Sequence, residues 1–139
     1  MTIATNSELG KTLHYGHRRA LKIPFEEVLQ NTKGALLKEG FGVLCEIDVR
    51  AKFQEKLGID FHNYVILGVC NPLLAFETLQ QEINIGLFLP CNVIVYEEQG
   101  HTTVAAIDAE KMMSVVGNPK LELTASVVNE RLRRVIESI

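Results

Sequence analysis

Tyr64-Val65-Ile66-Leu67-Gly68-Val69-Cys70-Asn71-Pro72 is the stretch from which the fold can be read. Its near-continuous apolar run is that of a strand covered on both faces. Asn71-Pro72 then starts a helix, with Asn as N-cap and Pro at the first helical position. A second Cys-Asn pair, Cys91-Asn92, opens the apolar run Val93-Ile94-Val95-Tyr96. Two strands that each carry a thiol and an amide at one end predict two matching edges of one pocket.

Upstream, Phe41 to Val49 alternates as a strand. Phe41, Val43, Cys45, Ile47 and Val49 share one face, and Gly42, Leu44, Glu46 and Asp48 the other. This alternation assigns Cys45 to the core. A short helix over Ala51 to Leu57 follows, closed by Gly58. Before the strand, Pro24 begins a helix with Glu26 and Glu27 in its first turn, and Gly40 stops it. Phe25, Val28, Leu29, Thr32 and Leu36 line its inner face. Gly34 inside this helix costs about 1 kcal/mol relative to Ala, and close packing is the one reason the sequence offers for it. Tyr15 to Leu21 reads as a short strand. Residues 1 to 10 are polar and unpatterned, a flexible tail, which leaves 11 to 139 as one domain.

Downstream, the helix after Asn71 turns Leu74, Ala75, Thr78 and Leu79 inward, and Gly86 to Leu89 is expected as a short strand broken at Pro90. Asn92 to Glu98 and His101 to Ile107 form a hairpin around Gln99-Gly100. Asp108 caps a helix through Val116, which Gly117 ends. Asn118-Pro119 starts the last one, whose seam is Leu121, Ala125, Val128, Leu132, Val135 and Ile139. The seam is read as packing within its own domain, with a subunit interface as the alternative. Strands interleaved with helices plus one hairpin predict a single α+β domain: a mixed or antiparallel sheet with helices packed against it, the C-terminal helix included.

Composition narrows the function classes. A length of 139 residues with 47% hydrophobic residues suffices for one self-supporting core. The net charge is −3, and only Arg18-Arg19 and Arg133-Arg134 are adjacent basic pairs, so no stripe exists for nucleic acid. No apolar run approaches the ~20 residues that span a bilayer, and Met1-Thr2-Ile3-Ala4-Thr5-Asn6 lacks the basic start and apolar stretch of a secretory signal. Three cysteines, separated by 24 and 20 intervening residues, make no disulfide framework and no CxxC pair. The expected compartment is cytoplasmic, with no membrane and no nucleic-acid partner.

With these segments laid out, the chain resembles domain-of-unknown-function family 302. The matching residues are Gly40-Phe41-Gly42-Val43, Glu46-Ile47-Asp48, Leu67-Gly68, Cys70-Asn71-Pro72, Leu89-Pro90-Cys91-Asn92-Val93 and Val95-Tyr96-Glu97, within about Phe25 to Asp108. Members often place Pro after the aspartate that closes the hairpin; here Ala109 follows Asp108. The resemblance implies a small α+β domain, association as a homodimer or higher homo-oligomer, and a candidate site with no agreed reaction.

The candidate site is Cys70, Asn71, Cys91, Asn92 and Glu46. Cys70 precedes a helix N-terminus, where unpaired N–H groups favour a thiolate or an anion; its bland alternative is a small apolar residue ending a buried strand. Cys91 carries the same two readings. Asn71 is accounted for as a cap, whereas a buried Asn92 would need a partner. Glu46 and Asp48 make a carboxylate pair two residues apart, although Asp48 also suits the cap of the next helix. His14, His17, His62 and His101 have neither the i, i+4 partner nor the cysteine spacing of a zinc site, so no metal ligands are assigned. Gly40-Phe41-Gly42 leads into a strand, so it is no phosphate cradle.

Three functions follow. The first is a binding module for a small ligand, an anion or a soft metal where the Cys-Asn pairs converge. The second is a thiol-dependent enzyme or redox protein with Cys70 as nucleophile and Cys91 as resolving thiol. The third is a structural homo-oligomer whose thiols are core atoms. The sequence leaves open which cofactor, if any, is used and whether a reaction is catalysed.

Overall fold

Backbone pairing of five strands organises the chain, in the order β1-β5-β4-β3-β2 with every neighbour antiparallel. The structure, a computed structural model, describes residues 13–139; the tail expected at 1 to 10 lies outside them. The elements are β1 (Gly16–Leu21), α1 (Phe25–Lys38), β2 (Gly42–Asp48), α2 (Val49–Leu57), β3 (Tyr64–Cys70), α3 (Pro72–Gln81), β4 (Cys91–Glu98), β5 (His101–Ile107), α4 (Ala109–Ser114) and α5 (Glu122–Ser138). Of the two sheet types anticipated, the antiparallel one forms.

Helices cover one face of the sheet. Val65, Leu67 and Val69 of β3, Val93 and Val95 of β4, and Val104 and Ala106 of β5 meet Val28 and Leu36 of α1 and Leu132 and Val135 of α5. Burying each such leucine or valine is worth about 1.5–3 kcal/mol. The inner face of α1 is the expected one: Phe25, Val28, Leu29, Thr32 and Leu36. The seam of α5 packs at home, against α1, α4, β1 and β5. Asp48, Asn71, Asp108 and Asn118 each accept a backbone N–H two or three residues ahead, as their cap positions require. Gln99 and Gly100 both have positive φ, 53° and 77°, which closes the β4–β5 hairpin with the twist its strands need.

Four expectations change. First, β2 does not alternate evenly. Val43 pairs with Val69 and Cys45 with Gly68, so Leu44 is an extra residue in a bulge. The bulge flips the pattern, and Cys45, expected in the core, is exposed on the other face. Second, Gly86 to Leu89 is not a strand. Ile83–Phe88 forms a 3-10 turn that buries Ile85, and the ladder resumes at Cys91 because Pro90, after a cis Leu89–Pro90 bond, has no N–H to offer. Third, β3 is not equally buried on its two faces: Val65, Leu67 and Val69 are buried beneath the helices, while Tyr64 and Ile66 on the other face are half-buried. Fourth, Gly34 is not explained by close packing, since a Cβ there would meet nothing within 4 Å.

Gly68 is the opposite case. A Cβ on it would lie 2.6 Å from Cys45 Sγ and 2.8 Å from Pro90 Cγ. We therefore expect opposite signs from one chemical change. Gly34→Ala raises unfolding free energy in urea by about 1 kcal/mol, whereas Gly68→Ala lowers it by about 1–3 kcal/mol through overpacking.

Candidate functional site

Cross-strand register brings the two thiols together. Cys91 stands directly opposite Val69, so it shares the helix-covered face and is 6% exposed. Cys70, the next residue of β3, is half-buried at the strand end. Asn71 turns the chain into α3: its Oδ1 accepts the Leu74 N–H at 3.2 Å. Its amide nitrogen lies so close to Gly40 that a Cβ there would be 2.8 Å away. These three residues line one pocket of about 300 Å³. Its other walls are Phe41, the bulged Leu44, Leu74 and Leu79 of α3, Met113 of α4 and Val128 of α5. No Asp, Glu, Lys, Arg or His is among the lining residues.

Two of the five expected site residues stand elsewhere. Asn92 pairs with Gly68, so strand alternation sends it to the open face, where it is exposed and needs no buried partner. Glu46 is opposite Leu67 on the edge strand and bonds Lys33 Nζ at 2.5 Å, outside the pocket. A Cys-Asn dipeptide in a strand must split its side chains between faces. At Cys70-Asn71 the chain leaves the strand for a helix, and Asn71 stays on the wall. Leu44, Met113 and Val128 were not foreseen as pocket walls. The bulge that aims Leu44 leaves no mark in an alternating pattern, and the other two come from distant helices.

Electrostatics oppose an activated thiol. Burial pushes the Cys91 thiol from 9.0 up to about 11, and the neighbouring Cys70 adds to the rise. Burial pushes Cys70 up as well. Loss of water around the anion is the leading cause in both cases. Among the described residues no three His, Cys, Asp or Glu side chains gather as metal ligands.

A larger cavity of about 590 Å³ lies between α4 and α5. Its asparagines and Asp108 are already committed: Asp108 to the Lys111 N–H, Asn118 to the Lys120 N–H, and Asn129 to the Ala109 N–H and to Glu110. Those bonds hold the helix ends together, and none of Cys70, Asn71, Cys91, Asn92 and Glu46 lines this cavity, whereas three of them line the smaller pocket.

A buried neutral thiol couples stability to pH. The unfolded thiol ionises near 9.0 and the folded one near 11, so the unfolded state binds fewer protons in between. The contribution is complete below pH 9 and is lost as pH rises toward 11, to a limit of about 3 kcal/mol. Urea titrations across this range should show the wild type falling more steeply than Cys91→Ala, and parallel curves would refute the assignment.

The family described as Domain of unknown function DUF302 matches residues 17–139. A crystal structure of an uncharacterized conserved protein DUF302 from Bacillus stearothermophilus is similar to this chain, with 32% identity and a TM-score of 0.84. The similarity covers 90% of this chain and 98% of that one. No curated protein matches the chain.

Proposed function

Because the chain belongs to the DUF302 family, whose function is unknown, we propose its role from its pocket: a binding module for an uncharged, apolar small molecule. The observation that carries this reading is a pocket of about 300 Å³ that Cys70, Asn71 and Cys91 line together with apolar side chains and no charged one. That volume is at the lower end of small-molecule sites. Such a cavity desolvates an apolar ligand without stranding a charge, and it has no cation to hold an anion. Asn71 and the two thiols supply polar atoms that orient the guest, while the Thr78 hydroxyl donates to the Leu74 carbonyl.

The thiol-dependent alternative, with Cys70 and Cys91 as a redox or nucleophilic pair, is less favoured. Both thiols are pushed up by burial, and the thiolate is the reactive form and the soft-metal ligand. We further propose that the module works in the cytoplasm, in keeping with three free cysteines, and that it acts as a homodimer. No described helix is long and apolar enough to cross a membrane.

Titration with N-phenyl-1-naphthylamine, an uncharged apolar fluorophore, tests the pocket. We expect saturable enhancement that Ala75→Trp, which fills the cavity, weakens at least tenfold, while Asn92→Ala and Glu46→Gln leave it unchanged. Enhancement that survives Ala75→Trp, or none in the wild type, would overturn the reading.

A further inference from the structure

Among the described residues that line the pocket, Leu44 alone is exposed, at 66%. Every other wall residue is buried or half-buried, and Met113 and Val128 are covered to within 3% and 5%. Leu44 therefore marks the place where the pocket meets solvent.

Its position in the strand follows from the bulge. Val43 pairs with Val69 and Cys45 with Gly68, so Leu44 has no partner across the ladder. β2 is also an end strand of the sheet, with β3 as its neighbour on one side. Firm contacts bracket the bulge. Phe41 before it is 2% exposed, and Cys45 after it lies against the Gly68 position together with Pro90. The strand is held on both sides of one residue whose side chain stands at the pocket's edge.

We propose that Leu44 sets the length of guest that the pocket accepts. This rests on the reading of the pocket as a site for an uncharged, apolar small molecule, and it adds the residue that makes the site selective. A guest fills the covered inner end first, because burial there removes the most apolar surface from water. Each methylene that enters strengthens binding about fourfold. A short guest stays clear of Leu44, whereas the far end of a long one meets it. An inner wall residue such as Val128 touches guests of every length. Selection by length therefore falls to the residue at the mouth. Leu44 is also the wall position where size can change without repacking a filled core.

Displacement of N-phenyl-1-naphthylamine by n-alkylbenzenes, from toluene to octylbenzene, tests this on the full chain. In the wild type, affinity should climb about fourfold per methylene and then fall once the chain reaches Leu44. Leu44→Trp should bring that turning point at least two methylenes earlier, weakening hexylbenzene at least tenfold and toluene less than twofold. Leu44→Ala should replace the fall by a plateau, because longer chains then pass out to solvent. An exposed position tolerates both changes, and urea unfolding checks that each variant is folded. Should Leu44→Trp misfold, Leu44→Ala decides alone, and a fall at the wild-type length would refute the proposal. If neither the dye nor toluene binds the wild type, the pocket reading fails and the role of Leu44 with it. If both bind, but folded Leu44→Trp shifts every alkylbenzene alike or none at all, the length-setting role alone is overturned.

Discussion

The β3–β4 pairing is the constraint on which the rest depends. It sets Val69 against Cys91 and Gly68 against Asn92, and one residue of slip would exchange every inward and outward side chain of both strands. In the observed register Leu67, Val69, Cys91 and Val93 go beneath the helices, and the pocket opens at the strand ends beside them. Gly68 helps hold that register, because Cys45 and Pro90 occupy the space any side chain there would need. The same pairing leaves Ile66 and Ile94 together on the opposite face.

Burial decides what the pocket's thiols can do. A start of helix beside a cysteine is a familiar route to a reactive thiolate, and sequence alone suggests it for Cys70. In the folded chain the surrounding walls are apolar, and removing water from a thiolate pushes both thiols up. The result is a pair of neutral thiols at neutral pH. These are soft, weakly polar wall atoms that suit contact with an apolar guest better than nucleophilic attack.

The two faces of the sheet carry different side chains. The pocket lies on the helix side, where core residues of β3, β4, α3, α4 and α5 form its walls. Ile66 and Ile94 lie on the other side of the same two strands, and Pro90, a pocket residue, also packs against the Gly68 position there.

Much of this architecture is legible in the amino-acid sequence because it is set locally. Helix caps at Asn71, Asp108 and Asn118, the Gln99-Gly100 turn, the inward stripe of α1 and the seam of α5 each depend on neighbours within a few residues. The convergence of Cys70 and Cys91 is legible too, as a pair of strand ends with matching chemistry. The face each side chain takes is not, because it depends on the count of residues between distant pairing partners. One bulge at Leu44 moved Cys45 from core to surface. Alternation past Cys91 took Asn92 out of the pocket, and an ion pair with Lys33 claimed Glu46. Sequence by itself determined most of the elements, though not the 3-10 turn at Ile83–Phe88, together with their caps and an antiparallel-capable α+β plan. Tertiary structure decided sheet order, which face of β3 stayed open and how deeply the thiols are buried, since each requires residues far apart in the chain to meet.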